Sequence, residues 1–225
     1  MPKPKLLLSW SSGKDCAWTL HLLRQQNEYE IAGLLTTYSE ADACVAMHRV
    51  RPELVALQAA AAHLPLTRVG IPWPCSNAEY EKRMRELCAK VKAQGVTHIA
   101  FGDLFLEEIR EYRIKKLAGT GLTPVFPVWG GAQDTPALAR EMIGAGLRAT
   151  LAVIDLKKLT PRFAGTEFNA DLFGELPAGV DPCGENGEFH TFCHTGPMFE
   201  KPIRIECGEA TERDGFLYTD LRPLA

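Results

Sequence analysis

The chain has 225 residues, of which 46% are hydrophobic and 24% are charged, and its formal net charge is -3. This balance is typical of a soluble globular protein with one large or two small domains, and the negative charge argues against a nucleic acid backbone as the main partner. The apolar start Leu6-Leu7-Leu8 is too short for a signal peptide, and no stretch reaches the length of a membrane span. Seven scattered cysteines without a Cys-x-x-Cys pair favour free thiols in a reducing cytoplasm.

The first 120 residues alternate between strand and helix signals. Short apolar runs predict strands at 5–10, 31–37, 66–71 and 96–101. Apolar residues at helical spacing predict helices at 14–26, 50–64, 77–91 and 107–118. Ser76 and Glu79 form a capping-box pattern at the start of the third of these helices. The alternating order predicts an α/β fold, in which helices cover both faces of a parallel sheet.

The pattern changes after about residue 120, where the segment TPVFPVWGGAQDTP is rich in proline and glycine. We therefore expect a boundary between residues 1–120 and 121–225. A helix follows the junction, with Asp134 or Thr135 as its cap, and later strand-like runs lie at 148–154, 188–194, 203–207 and 216–221. The second part is expected to be a smaller α+β domain.

The stretch SWSSGKDC at residues 9–16 follows the first predicted strand and opens a helix. Small residues at 11–13 let the backbone curl so that several amides point at one anion, and the helix dipole adds to the attraction. The Walker A pattern does not fit, because its first glycine falls on Leu8 and its Ser/Thr on Asp15. The stretch therefore predicts a phosphate-binding loop of another class, with Lys14 as its positive charge. A polar turn before a helix is the competing interpretation.

Further candidates lie where other predicted strands end, at the same edge of the sheet. Asp103, after Gly102, could hold a metal ion or a substrate amine, or could cap the next helix. Arg110 and Arg113 share one face of that helix and could reach a phosphate or a carboxylate, although a solvated helix face is the alternative. Residues at the end of the second strand, or soon after it, are candidates for an adenine or ribose pocket. They are Thr36 and Thr37, with His48 and Arg49 as weaker candidates.

A second polar cluster lies far downstream, in a glycine-flanked turn that enters a strand. Glu185 and Glu188 are three positions apart, beside His190. Such a group can bind magnesium, orient an amine or accept a proton, whereas the alternative is a surface turn with solvated acids. We expect the turn to be exposed, to close over the phosphate site and to hold the acceptor.

Two motifs resemble known families. SSGKDC is similar to the PP-loop, commonly SGGKDS, of the ATP pyrophosphatases, with Ser12 in place of glycine and Cys16 in place of serine. DPCGENGEFHTF at 181–192, followed by TGPMF, resembles the diphthine–ammonia ligase family and its bacterial, adenine nucleotide α-hydrolase-like relatives, as does GDLFLEEIREYR at 102–113. The resemblance implies a HUP-like fold and an AMP- and pyrophosphate-forming ligase, which adenylates a carboxylate and amidates it with ammonia.

The motifs and the resemblance together assign the site residues. Predicted nucleotide-binding residues are Ser9, Ser11, Ser12, Gly13, Lys14, Asp15, Cys16, Thr36, Thr37, Gly102 and Asp103. Predicted catalytic residues are Lys14, Asp15, Glu185, Glu188 and His190, and predicted substrate-binding residues are Arg113, Asn186 and Thr191. ATP and Mg²⁺ are the implied cofactors, with Asp15 and Asp103 as candidate magnesium ligands. The acceptor is a small-molecule or protein carboxylate, and ammonia comes from the free pool or from a separate donor protein.

Three alternatives remain open. A nucleotide sensor without catalytic activity would carry the same loop, but it would need no second polar cluster. A tRNA-thiolating enzyme of the PP-loop type would need reactive cysteines, for which Cys16 and Cys183 are the candidates. Zinc is disfavoured, because Cys183, His190, Cys193 and His194 do not have the spacing of a structural zinc site. The sequence leaves open whether the chain forms a homodimer.

Overall fold

The computed structural model describes residues 2–41, 44–45 and 48–224, which form two β-sheets and six α-helices. The first sheet has five parallel strands in the order β3-β2-β1-β4-β5. The strands are β1 Lys5–Ser9, β2 Glu30–Ser39, β3 Leu66–Ile71, β4 Val96–Ala100 and β5 Thr123–Val125. The strand order reverses at β1 and β4, so the crevice at their carboxyl ends is where ligands bind in sheets of this kind.

Helices cover both faces of this sheet, as the sequence predicted. They are α1 Lys14–Gln26, α2 Pro52–Ala61, α3 Asn77–Ala93 and α4 Glu107–Leu117. Successive residues of a strand point to opposite faces. Leu6 and Leu8 therefore share a core with α1 and α2, whereas Leu7 shares a core with α3 and α4.

The capping box predicted at the start of α3 forms only in part. Ser76 Oγ accepts a hydrogen bond from Glu79 N–H at 3.2 Å, as an N-cap serine should. The Glu79 carboxylate contacts Arg83 Nε at 2.9 Å, one helical turn further along. Glu79 therefore pairs with Arg83 instead of accepting the reciprocal hydrogen bond from Ser76 N–H.

The second sheet is antiparallel, with the order β7-β6-β9-β8. Its strands are β6 Arg148–Asp155, β7 Phe189–Thr195, β8 Ile205–Arg213 and β9 Phe216–Pro223, and the helices α5 Thr135–Gly144 and α6 Ala170–Glu175 accompany it. This is the smaller α+β unit expected from the sequence. The short strand β5 and helix α6 were not predicted. β5 follows residue 120 and pairs with β4, so it belongs to the first sheet. β8 forms an outer edge of the second sheet and carries three exposed acids: Glu206, Glu209 and Glu212.

The two sheets share one hydrophobic core around α1. Leu20 of α1 belongs to the same buried cluster as Leu151 of β6 and Phe192 of β7. The backbone joins the two units as well, because Cys193 N–H of β7 donates to Ser12 O at 2.9 Å. The loop between β1 and α1 is therefore held by both units.

The described helices include none with the length and apolar character that a membrane crossing requires.

Candidate active site

The loop that joins β1 to α1, residues 10–13, has an unusual backbone conformation at Ser12. Its φ is +75°, in the left-handed region where glycine is least strained. The PP-loop that this stretch resembles commonly has glycine at this position, which fits this backbone conformation. The Ser12 side chain is fully buried, and its Oγ has no hydrogen-bond partner among the described residues. A buried hydroxyl without a partner is costly. Ser12 and Gly13 were both predicted to bind nucleotide, but neither is among the described residues that line the cavity defined below.

A buried glutamine that the sequence reading did not identify holds this loop in place. Gln58 of α2 is 0% exposed, and its amide nitrogen donates to Ser12 O at 3.0 Å and to Cys193 O at 2.6 Å. Its amide oxygen accepts from Trp10 Nε1 at 2.8 Å. The signal in the sequence is a polar residue four positions after Leu54, on the buried stripe of an otherwise apolar helix.

Lys14, the first residue of α1, is 1% exposed. Its Nζ contacts both carboxylate oxygens of Asp15, at 2.9 and 2.8 Å, and donates to the Cys183 carbonyl. Burial, the largest effect, lowers the pKa of Lys14, but the charge and hydrogen bond of Asp15, together with Cys183 and Glu185, outweigh it and hold the pKa above its ordinary value. Lys14 is therefore a protonated, pre-positioned cation.

A threonine from β7 completes the start of α1. Thr191 Oγ1 accepts a hydrogen bond from Lys14 N–H at 3.0 Å, and its carbonyl oxygen lies 3.2 Å from His48 Nδ1. His48 and His190 stack with ring centroids 4.7 Å apart. Burial lowers the pKa of His48 to about 3, with help from His190, and lowers that of His190 to about 4, with help from Lys14. Both imidazoles are therefore neutral near pH 7.

The 181–188 turn places one of its two glutamates in the site. Glu185 Oε1 accepts a hydrogen bond from Leu104 N–H at 2.8 Å, which links the turn to the segment after β4. Burial and the nearby charge of Asp15 together raise the pKa of Glu185 to about 7. A carboxyl group that titrates near neutrality can exchange a proton at physiological pH.

The other glutamate is not exposed, and this expectation from the sequence was wrong. Glu188 is 2% exposed, and its Oε1 accepts hydrogen bonds from Asp181 N–H at 3.2 Å and Asn186 Nδ2 at 3.3 Å. The end of the turn is held against the second sheet, because the Glu188 carbonyl accepts a hydrogen bond from Asp155 N–H of β6, and the Glu188 side chain is buried there. Within the described residues, neither Glu188 nor the exposed Asn186 lines the cavity described below.

The segment after β4 approaches α1 closely. A Cβ added at Gly102 would lie 2.9 Å from Cys16 N, so glycine is required there by the close packing of two backbones.

Asp103 Oδ2 lies 3.3 Å from Arg113 Nε, and the Arg113 guanidinium lies 4.8 Å from the centre of the Phe101 ring. The helix cap is Leu106, so the interpretation of Asp103 as an N-cap was wrong. Arg110 stacks on Trp129 at 4.7 Å, outside the residues described as lining the cavity.

These residues surround a cavity of about 800 Å³, large enough for a nucleotide with room for a second ligand. It is lined by the β1–α1 loop, the ends of β2 and β4, residues 183–185 and 189–191, and facing sides of α3 and α4. Of the predicted site residues, the lining includes Ser9, Ser11, Lys14, Asp15, Cys16, Thr37, Gly102, Asp103, Arg113, Glu185, His190 and Thr191.

Two neighbouring threonines of β2 are separated by the alternation of the strand. Thr37 lines the cavity, whereas Thr36 is 3% exposed and is outside the lining given by the described residues. Consecutive side chains of a strand point to opposite faces, which accounts for the difference between the two threonines. A nucleotide-binding role for Thr36 stays a prediction that the described lining does not support.

The cysteines near the cavity are not activated. Burial raises the pKa of Cys16 to about 11 and that of Cys183 to about 12, so both are thiols at neutral pH. Across the ranges that the structure describes, no three or more His, Cys, Asp or Glu side chains form a group that could hold a metal ion.

Comparison with known proteins gives concordant results for both halves of the chain. Residues 4–122 match the family model of the diphthamide synthase N-terminal domain, and residues 134–220 match that of the diphthamide synthase C-terminal domain. A Danio rerio protein described as diphthine--ammonia ligase is 32% identical over 111 residues, which cover 46% of this chain and 42% of that protein. The chain therefore matches less than half of the length of this relative.

Proposed function

The chain belongs to the diphthamide synthase family, and on this premise we propose that it is an ATP-dependent ligase that makes an amide from a carboxylate and ammonia. The carboxylate oxygen attacks the α-phosphorus of ATP, and pyrophosphate leaves with the electron pair of the broken P–O bond. Ammonia then attacks the acyl carbon of the acyl-adenylate. AMP leaves, and one proton is lost from the nitrogen.

The observation that carries the proposal is the position of Lys14 at the start of α1. The Lys14 ammonium is held in a wall of the cavity, and Ser11 of the preceding loop lines the same cavity. A hydroxyl and a cation at a helix N-terminus form a site for phosphate oxygens. Their role in the first step is to stabilise the negative charge that develops on the leaving pyrophosphate.

Glu185 is the proposed base for the second step. It lines the cavity, and its pKa of about 7 lets it accept the proton that the attacking ammonia loses. His190 also lines the cavity, but its pKa of about 4 makes it a weak base. We propose that His190 instead remains neutral and helps to orient the acceptor.

The carboxylates around the cavity also bear on magnesium. The charges of Asp15 and Asp103 both raise the pKa of Glu185, which means that each of these carboxylates repels the ionised form of Glu185. Mg²⁺ that enters with ATP would relieve this repulsion, and Asp15 and Asp103 are the residues that would hold it. Its chemical contribution would be to neutralise charge on the phosphates.

Residues 183–185 and 189–191 support a binding site for the acceptor next to the phosphate site. Arg113 is the proposed partner for an anionic group of the acceptor, because it lines the cavity and carries a positive charge there beside its contact with Asp103. We further propose that the protein acts in the cytoplasm. A tRNA-thiolating role is not supported, since Cys16 and Cys183 are protonated.

Product analysis tests the reaction class. The protein is incubated with ATP, Mg²⁺, ammonium and a panel of carboxylic acids, and the nucleotides are separated by ion-exchange chromatography. We expect AMP and pyrophosphate in equal amounts with the accepted acid, and amide only when ammonium is present. ADP and phosphate as the products would contradict the proposal. ATP binding without turnover across the panel would favour a nucleotide sensor.

A further inference from the structure

We infer that Gln58 is a positioning residue for the phosphate loop: it fixes the Ser12–Gly13 peptide so that the Gly13 N–H points toward Ser11, which lines the cavity. This inference rests on the proposed function, because it assumes that the loop binds the pyrophosphate part of ATP. Gln58 itself is buried in α2 and is outside the described lining of the cavity. It therefore acts through the backbone of the loop and not by contact with a ligand.

The direction of the peptide follows from its planarity. A trans peptide points its C=O and its N–H in opposite directions. The Ser12 carbonyl points to Gln58 Nε2, at 3.0 Å, and to Cys193 N–H, at 2.9 Å. The Gly13 N–H at the other end of this peptide consequently points away from Gln58. Its contact is Ser11 Oγ at 3.4 Å, and Ser11 lines the cavity.

The amide of Gln58 is itself held in one orientation. Trp10 Nε1 donates to its oxygen at 2.8 Å, which leaves the NH₂ group to face the two carbonyls of Ser12 and Cys193. A rotated amide would put an oxygen against those carbonyls and an N–H against the indole N–H. Both contacts would be repulsive, so the arrangement admits one orientation.

The loop needs such a device because Ser12 has a φ of +75°. A serine in the left-handed region is strained, and without a fixed carbonyl the peptide could rotate toward a less strained conformation. Rotation would withdraw the Gly13 N–H from the phosphate site. It would leave the rest of the cavity, including Thr37 and Phe101, unchanged. The inference therefore predicts a loss that is confined to the phosphate end of the ligand.

The experiment compares pyrophosphate and AMP as separate probes. Gln58→Met keeps the length of the side chain but has no hydrogen-bond donor. Binding of inorganic pyrophosphate and of AMP, each with Mg²⁺, is measured by calorimetry on folded protein. We expect the pyrophosphate affinity to fall by about tenfold, the scale of a lost hydrogen bond at the site, while the affinity for AMP changes less than about twofold.

Leu54→Ala is the matched control, because Leu54 is a fully buried residue of the same helix in the hydrophobic core. It should lower the melting temperature without changing either affinity. If Gln58→Met does not fold, Gln58→Asn keeps the amide on a shorter side chain that cannot reach both carbonyls. It should show the same selective loss of pyrophosphate affinity.

The outcomes separate the two proposals. Equal pyrophosphate affinity in the wild type and the folded Gln58 variant would overturn the inference. A parallel loss of pyrophosphate and AMP affinity would also overturn it, since that result indicates a general structural role. A wild-type protein that binds neither ATP nor pyrophosphate would overturn the proposed function instead.

Discussion

Thr191 Oγ1 accepts a hydrogen bond from the backbone N–H of Lys14, across 177 positions of the chain. Helix α1 begins after Gly13, which has no side chain with which to cap it. The hydroxyl that an N-cap serine or threonine would normally supply therefore comes from β7. The second unit thus stabilises the helix terminus at which the proposed phosphate site lies.

Replacing Thr191 with valine tests this long-range cap. Valine keeps the shape of the side chain but leaves the buried Lys14 N–H without an acceptor, which should cost about 1–2 kcal/mol of unfolding free energy. Thr191→Ser retains the hydroxyl and should lose less. Urea denaturation of the three proteins provides the measurement. Valine and wild-type proteins of equal stability would contradict the capping role.

Removing the Lys14 cation should weaken ATP binding. Lys14→Ala deletes a protonated group in the cavity wall and leaves Asp15 without its partner, so we expect a loss of about 1.5–3 kcal/mol in ATP binding free energy. Calorimetric titration with MgATP measures it. Lys115→Ala, on the exposed side of α4, is the control and should bind ATP like the wild type. Unchanged affinity in Lys14→Ala would remove the phosphate site from this loop.

The two glutamates of the 181–188 turn should differ in their contribution to the rate. Glu185→Gln removes the proposed base, so amide formation should fall by about 100-fold while ATP binding remains. When the rate is expressed per concentration of free ammonia, which itself increases with pH, the wild-type rate should rise as the pH passes through about 7, because the base must be deprotonated, and the variant should lack this rise. The measurement is the rate of amide formation against pH, with the acid found in the panel.

Glu188→Gln is the comparison for Glu185→Gln. Its remaining oxygen can still accept the hydrogen bonds of Asp181 and Asn186, so the rate should change less than about fivefold. A large loss of rate in this variant, with little effect in Glu185→Gln, would show that the roles of the two residues have been reversed.

The stacked histidines should make the protein sensitive to acid. Their pKa values in the folded state, about 3 for His48 and about 4 for His190, lie below the ordinary value of 6.5. The unfolded chain binds more protons in this window, so stability is fully present above pH 6.5 and is lost as the pH falls toward 4. The contribution of Glu185 to stability changes in the opposite direction, because its pKa is raised. It is present below pH 4.5 and is lost as the pH rises to 7.

The comparison of wild type with His190→Asn isolates the histidine contribution. The unfolding free energy is measured by urea denaturation between pH 4 and 8. The variant should take up about one proton fewer on unfolding near pH 5. Identical pH dependence in the two proteins would contradict the neutral state of His190.

Local sequence patterns were sufficient for the long, regular elements of the fold. Helix α1 and strand β3 have the predicted bounds, because each is a periodic or apolar segment bordered by turn residues. Strand β5 was missed because it has only three residues and contains Pro124, two features that are typical of a loop. A proline is possible in this strand because the strand lies at the edge of the sheet. Helix α6 has only six residues, too few for a helical period to be visible.

The parts of the site that sequence predicted best are those contained in one motif. Lys14 and Asp15 lie in the cavity wall because the loop and the helix start are encoded locally. The burial of Glu188 depends on β6, and the role of Gln58 depends on β7, so neither can be read from its own neighbourhood in the chain. Such residues require the tertiary contacts to be known.

The outer edge of the second sheet has a consequence for association between copies of the protein. An exposed edge strand can pair with the edge of another molecule. On β8, Glu206, Glu209 and Glu212 are exposed, so two copies that approach edge to edge would bring rows of negative charge together. This repulsion disfavours extension of the sheet through β8, so we expect a homodimer to use a different surface of the molecule.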